Sequence, residues 1–208
     1  MNEMVNDQFI KNRVQIQGIE HLDGVLKKGK GGVLVTAHIG NWELGAVLLS
    51  ALGYPLMAVA LPHKERSVNN LFNQRRETKG VTVVPTNTAI RRCIEQLKEN
   101  KFIALAADRD FGTHGFVMDF LDRKLLVPKG PAIFSWRTGA PIIPIFLFRK
   151  DNGDFALTCH EPIDPPSRNG STDEDEIVLG IMGRYVPIIE GQIRAYPSQW
   201  LLFRDFAL

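Results

Sequence analysis

Several marks of particular protein classes are scarce or missing in this sequence of 208 residues. It has only two cysteines, Cys93 and Cys159, which lie far apart and form no CxxC pair, so neither a structural zinc site nor a disulfide scaffold is indicated. Basic and acidic side chains nearly balance, 25 against 23, and the net charge of +2 gives no sign of a nucleic-acid partner. The scarcity of cysteine fits a protein in a reducing compartment best.

Long apolar runs are missing as well. No stretch reaches the roughly 18 to 20 apolar residues that a membrane-spanning helix needs, and residues 1–7 lack the basic start and apolar core of a secretory signal. Any membrane contact is therefore expected to be peripheral.

The sequence also lacks the Gly-x-Ser-x-Gly turn of serine hydrolases, the P-loop and the Gly-x-Gly-x-x-Gly nucleotide motif. Neither a serine hydrolase nor a nucleotide-binding protein is therefore indicated.

What the sequence does have is enough apolar material, 44% of its residues, for one domain over residues 1–208. In the first half, runs typical of strands buried on both faces alternate with helical patterns. The runs are 33–37, 56–61, 81–84 and 102–107, and the helical patterns are 42–52, 67–79 and 88–99. This alternation predicts an α/β fold with a mixed, largely parallel central sheet flanked by helices.

The second half is less regular. Residues 108–128 are rich in glycine, charge and aromatics, which is typical of a functional loop, with one strand expected at 116–120. The remaining expectations are a helix at 130–138, strands at 141–148 and 155–159, a surface loop at 161–176, a helix at 177–196 kinked or interrupted by Pro187, and a final strand or helix at 197–203.

The most informative residues follow the first buried strand. This strand stops at His38, and Glu43 comes five positions later. A carboxylate can hold one ring nitrogen of a histidine and leave the other to take a proton from a hydroxyl, which is a general-base arrangement. Gly40 between them allows a close backbone approach, and amides near it are candidate donors to an oxyanion. The alternative is that His38 caps a helix and Glu43 complements its dipole.

The same spacing recurs at His114 and Asp119, where it neither follows a buried strand nor opens a helix. We interpret this copy as a coincidence, since a motif needs its structural context. Asp108 and Arg109 are better placed, because they end the strand at 102–107 and share an edge with His38 if the strands are parallel. They serve either acceptor binding or a structural salt bridge.

Residues 33–43, VLVTAHIGNWE, resemble the signature of the bacterial lipid A biosynthesis acyltransferases, relatives of the glycerolipid acyltransferases with their His-x4-Asp/Glu motif. Two more blocks follow in the family's order, one from Asp108 through Gly115 to Pro144 and one at 197–200. The Asp-Arg-Asp form of the second block is more similar to the branch that acylates phosphatidylinositol mannosides. The chain is expected to lack the family's amino-terminal hydrophobic anchor.

The resemblance implies an acyltransferase with the glycerolipid acyltransferase fold. It implies that His38 is the general base, oriented by Glu43. The acyl donor would be acyl-CoA or acyl carrier protein, and the acceptor would be a hydroxyl of a lipid or glycolipid. Neither a cofactor nor a metal is implied. Arg76, which resembles a family arginine, would bind the oxyanion or a phosphate, with Arg75 as its competitor and a solvated helix face as the alternative. The implied substrate-binding residues are Gly40, Asn41, Arg76, Asp108, Arg109 and Gly115.

Three further interpretations stay open. Lys64 and Arg66 either bind donor phosphates or an anionic membrane, or form a charged turn. The apolar set Phe111, Phe116, Met118, Phe120 and Leu121 either lines an acyl groove or packs in the core. The expected location is the cytoplasmic face of the inner membrane, peripherally, or the cytoplasm.

Two other functions compete with this one. A metal hydrolase using His38, Glu43, Asp108 and His114 ranks low, because these spacings match no recognised site. The stronger alternative is a degenerate acyltransferase-like domain that binds lipid or docks a partner without catalysis.

Overall fold

The structure is a computed structural model that describes residues 5–60, 74, 80–85, 89–109, 115–167 and 173–201. The strands in these ranges are β1 (Val14–Gln17), β2 (Gly32–Thr36), β3 (Leu56–Ala60), β4 (Thr82–Pro85), β5 (Phe102–Ala106), β6 (Gly115–Phe120), β7 (Arg123–Pro128), β8 (Ile142–Arg149) and β9 (Phe155–Cys159). The helices are α1 (Asp7–Arg13), α2 (Ile19–Lys27), α3 (Trp42–Ala51), α4 (Ala89–Lys98), α5 (Gly130–Thr138) and α6 (Glu174–Ala195), followed by a 3-10 turn, Pro197–Gln199.

Seven strands form one sheet in the order β1-β9-β8-β2-β5-β3-β4. The strands from β8 to β4 all run parallel, whereas β9 is antiparallel to β8 and pairs in parallel with β1. The remaining two strands, β6 and β7, form a separate antiparallel hairpin. The predicted mixed, largely parallel sheet flanked by helices is confirmed.

The central strand β2 is buried on both faces because helices cover each side of the sheet. Val33 and Val35 point into one hydrophobic cluster that includes residues of α5 and α6, and Leu34 points into a second cluster with residues of α3. This alternation is the period of two expected of a strand. Each such side chain contributes about 1.5 to 3 kcal/mol to the stability of the fold when it is fully buried. This burial holds β2 in the sheet, and with it the start of the loop that follows.

The register of β2 and β5 determines what lies at that edge. Thr36 pairs with Ala106, and the two strands run in the same direction. His38 and Asp108 each follow two residues later, so the chain leaves the sheet with these residues side by side. The edge predicted for both is confirmed.

Of the other predictions, one lies almost wholly outside the described residues and the rest differ in detail from the structure. The helix predicted at 67–79 lies outside the described residues except for Gln74. The strand predicted at 116–120 is present as β6, and a second strand that the sequence does not predict, β7, pairs with it as a hairpin. Helix α6 begins earlier than predicted, at Glu174, because Asp173 caps it and three acidic residues occupy its first turn. It also continues through Pro187 to Ala195.

Two further elements bear on the site and the membrane. Residues 197–201 form neither the predicted strand nor an α-helix, but a 3-10 turn followed by an isolated bridge between Trp200 and Ile39. Within the described ranges, no helix combines the length and apolar character needed to cross a membrane.

Candidate active site

The loop between β2 and α3 presents His38 at the sheet edge. Helix α3 begins at Trp42, and the side chain of Asn41 caps it by accepting a hydrogen bond from the Leu44 amide at 3.0 Å. The His38 side chain is 25% exposed, and its ring meets that of Trp42 edge to face, with centroids 5.1 Å apart. The imidazole is therefore held by the protein on one side and accessible on another.

Asp108 holds the ring of His38. Its Oδ1 lies 2.7 Å from Nδ1 of His38, and its Oδ2 accepts a hydrogen bond from Nε1 of Trp200 at 3.0 Å. Nε of Arg109 is 3.5 Å from the same Oδ2. The Asp108 side chain has no exposed surface. A buried carboxylate that contacts a partly exposed imidazole is the pairing used by enzymes in which histidine takes a proton.

The surroundings of Asp108 decide its charge. Burial alone would raise the pKa of this carboxyl, but the hydrogen bond and charge of His38, the hydrogen bond from Trp200 and the charge of Arg109 outweigh burial. The pKa of Asp108 is consequently lowered from its ordinary value. The group stays ionised at neutral pH and can stabilise a positive charge on His38.

Glu43 is not a hydrogen-bond partner of the His38 ring in the part of the chain that the structure describes. Because the cap at Asn41 starts the helix immediately, Glu43 lies in the first turn of α3, partly exposed. The position on the ring that the sequence interpretation gave to Glu43 is occupied by Asp108 instead. A contribution of Glu43 to catalysis stays a prediction.

Gly40 makes a close backbone approach, but to the protein's own chain. It has a φ of 60°, and a Cβ there would lie 2.1 Å from the Leu147 carbonyl oxygen. Its amide donates to the Gln199 carbonyl at 2.9 Å, and the Asn41 amide donates to the Leu147 carbonyl at 2.9 Å. The expectation that amides near Gly40 bind an oxyanion is wrong for these two, because both already have acceptors.

Residues 197–201, which we call the strap, pack across this loop. The Leu201 amide donates to the His38 carbonyl at 2.8 Å. The Gln199 side chain bonds both backbone groups of Arg149, at 3.0 and 2.9 Å. Arg109 donates to the Leu201 carbonyl, so its guanidinium joins the strap to Asp108. The alternative of a structural salt bridge fits Asp108 and Arg109 better than direct acceptor binding.

Trp200 is the site residue that sequence reasoning missed. The sequence predicts it only as part of a final strand or helix at 197–203, and its partly buried side chain does pack against the hydrophobic cluster that contains Val33 and Val35 of β2. The available signal was the position of residues 197–200 in the ordered family blocks.

The other predicted positions divide into two groups. Gly115 starts β6 and pairs with Pro128, and its role in binding stays a prediction. Phe120 is fully buried, and Phe116, Met118 and Leu121 pack against the same cluster, which favours the core interpretation for this set. The rest lie outside the described residues: Lys64, Arg66, Arg75, Arg76, Phe111 and His114. Among the described residues, no group of three or more potential metal ligands is found.

Comparison with known proteins identifies the family. The model of the bacterial lipid A biosynthesis acyltransferase family matches residues 1–205. The chain belongs to this family. The resemblance carried by residues 33–43 and by the blocks after them is therefore confirmed at the level of the family.

Three members of this family are similar to the chain over most of its length. The chain is 29% identical over 192 residues to a phosphatidylinositol mannoside acyltransferase of Mycolicibacterium smegmatis, covering 90% of this chain and 60% of that protein. A Mycobacterium tuberculosis protein of the same name is 29% identical over 89% of this chain and 57% of its own length. A Haemophilus influenzae lipid A biosynthesis acyltransferase is 21% identical, over 94% and 60%. The chain thus spans about three fifths of the length of these relatives.

Proposed function

We propose that this protein transfers a fatty acyl group from an acyl thioester to a hydroxyl of a lipid acceptor, with His38 as the general base. The observation that carries the proposal is the 2.7 Å contact between the partly exposed His38 ring and the buried Asp108 carboxylate. Membership of an acyltransferase family supports the reaction class.

The chemistry follows from which ring nitrogen is occupied. Nδ1 of His38 carries its proton toward Asp108, so Nε2 accepts the proton of the acceptor hydroxyl as its oxygen attacks the thioester carbonyl. The tetrahedral intermediate then collapses, the carbon–sulfur bond breaks, and the thiolate takes the proton back from His38. Asp108 stabilises the imidazolium between these two steps. Such proton transfer typically contributes about a hundred- to ten-thousand-fold to the rate.

The oxyanion of that intermediate needs donors other than the Gly40 and Asn41 amides, which are already bonded. Arg109 is engaged with Leu201 and lies beside Asp108. We therefore assign the oxyanion, or a substrate phosphate, to Arg76. This assignment rests on the resemblance of the sequence around Arg76 to the family.

The acceptor we propose is a glycolipid of the phosphatidylinositol mannoside kind. The Asp-Arg-Asp form at 108–110 and the two mycobacterial relatives at 29% identity support this choice over lipid A, whose acyltransferase is 21% identical. The donor is acyl-CoA or acyl carrier protein, and the reaction as written requires no cofactor. Because the acceptor resides in a membrane, we place the protein peripherally at the cytoplasmic face of the inner membrane.

The test is acyl transfer by the purified protein from long-chain acyl-CoA or acyl carrier protein to a panel of acceptors that includes phosphatidylinositol mannosides and lipid A precursors. The variants are His38→Ala and, as the matched control, His114→Ala in the second copy of the spacing. We expect acceptor-dependent transfer in wild type and in the control, and its loss in His38→Ala.

Two results would count against the proposal. Equal thioester loss in wild type and His38→Ala would rule out the base. Lipid binding by the wild type without turnover on any acceptor would favour the non-catalytic domain instead.

A further inference from the structure

Trp200 reaches the buried Asp108 from a distant part of the sequence. It lies 92 residues after Asp108, beyond helix α6, and its indole Nε1–H donates to Oδ2 at 3.0 Å. Its ring also packs near Phe120, with centroids 6.4 Å apart. The indole is therefore anchored in the core while its single donor points at the carboxylate that holds His38.

The carboxylate depends on this donor. Oδ1 faces His38, and the other described group near Oδ2 is Nε of Arg109 at 3.5 Å. That Nε has no hydrogen-bond partner among the described residues, so the Arg109 contact is electrostatic and is not directional. Of the groups that face Oδ2 in the described chain, Trp200 alone fixes its direction.

The strap fixes Trp200 in turn. An isolated antiparallel bridge pairs Trp200 with Ile39, and the amide that follows, that of Leu201, donates to the His38 carbonyl at 2.8 Å. The Gln199 side chain adds two bonds to the backbone of Arg149 at the end of β8. Backbone bonds on the His38 loop and the indole bond to Asp108 thus come from one short segment, which links the positions of the base and its carboxylate.

We infer that Trp200 is a positioning residue, whose indole N–H aligns the Asp108 carboxylate with Nδ1 of His38. The catalytic part of this inference rests on the proposed function, whereas the hydrogen bond itself does not. The charged or titratable groups that face the carboxylate in the described chain are His38 and Arg109. Removal of the indole donor leaves both in place and frees Oδ2 to turn.

Trp200→Phe removes the donor and keeps an aromatic ring. A hydrogen bond to a charged group is worth about one to two pH units of proton affinity, and its loss makes the His38–Asp108 pair hold a proton more readily. We expect the acidic limb of the kcat profile to move up by about one pH unit, and kcat to fall about tenfold or more while KM changes little. Trp136→Phe is the matched control, since Trp136 also packs partly buried against the same core cluster.

A second measurement needs no acyl transfer. The protein has three tryptophans, so its ¹H–¹⁵N spectrum shows three indole signals, and the one missing from Trp200→Phe belongs to Trp200. We expect this signal to exchange slowly with solvent and to shift with pH as the His38–Asp108 pair titrates. The signal missing from Trp136→Phe should not follow that titration.

The two readouts separate the possible failures. An indole signal of Trp200 that ignores the titration of the pair would overturn the inference, and so would a Trp200→Phe enzyme whose kcat and acidic limb match those of Trp136→Phe. If wild type transfers no acyl group, the proposed function fails but the indole titration still decides the inference. If Trp200→Phe does not fold, the Trp200 signal is assigned through its contacts and the wild-type titration decides.

Discussion

The substitution Asp108→Asn tests the pairing at the centre of the site. Asp108 accepts from two donors, Nδ1–H of His38 on Oδ1 and Nε1–H of Trp200 on Oδ2. An asparagine has one acceptor oxygen and one donor amide, so in either orientation a donor faces a donor. The variant therefore loses the negative charge and also misaligns one of the two contacts.

The size of the effect follows from the charge interaction. Two unit charges about 4 Å apart interact by about 4 kcal/mol at an effective dielectric constant of about 20. This corresponds to about a thousandfold in rate, at about 1.4 kcal/mol per tenfold. We expect kcat to fall by about a hundred- to ten-thousand-fold. KM should change little, because the Asp108 side chain has no exposed surface with which to touch substrate.

The assay compares kcat and KM of acyl transfer for Asp108→Asn and for Asp119→Asn, a control whose carboxylate is exposed and paired with Lys124 on the hairpin. Circular dichroism and urea unfolding check that both variants are folded. A folded Asp108→Asn protein that keeps more than a tenth of wild-type kcat would refute the reasoning, and so would an equal loss in the control.

The same variant has a pH signature in stability. The folded-state pKa of Asp108 is lowered, so its ionised form stabilises the fold above the ordinary carboxyl pKa of about 4, and this contribution is lost as the pH falls through the lower, folded value. The difference in unfolding free energy between wild type and Asp108→Asn should therefore shrink below about pH 4. A difference that grows in acid would contradict the assigned charge.

Three further outcomes are expected. Glu43→Gln should lower kcat less than the asparagine variant above, because Glu43 makes no hydrogen bond to the ring in the described chain; an equal or larger loss in the same assay would restore the orienting role to Glu43. Gly40→Ala should cost more than about 2 kcal/mol in urea unfolding, since the left-handed backbone alone costs about 1 to 2 kcal/mol and the new Cβ meets a carbonyl, whereas Gly183→Ala on the open face of α6 should not destabilise. Cys93 and Cys159, whose pKa values burial raises to about 12, should react with a thiol reagent only on unfolding, and rapid native labelling would contradict their burial.

The sheet edge could be predicted from sequence because it depends on local patterns. Apolar runs at 33–37 and 102–107 mark two strands, and parallel strands bring their carboxyl ends to one edge. The same argument predicts that His38 and Asp108 lie at one edge of the sheet. It could not supply their 2.7 Å contact, which depends on the register that pairs Thr36 with Ala106.

Other parts of the site depend on long-range contacts with no local signal. Trp200 looks like an ordinary core residue until the strap is seen against Ile39. The spacing of His38 and Glu43 does not show which carboxylate holds the imidazole, because Asp108 comes from the end of a neighbouring strand, 70 residues further along the chain. The sequence does not predict strand β7, because the strand begins with two exposed charged residues, Arg123 and Lys124. Its apolar residues lie within a segment whose sequence is typical of an irregular loop.

The most direct test of the account is mass spectrometry of the acceptor after incubation of the purified protein with acyl-CoA and phosphatidylinositol mannoside, for wild type and His38→Gln. Glutamine keeps polar volume at the site but cannot take up the hydroxyl proton. The account predicts a glycolipid heavier by one acyl chain with wild type, formed at least about a hundred times more slowly by a folded His38→Gln protein. Equal rates of acylation by the two proteins would contradict it.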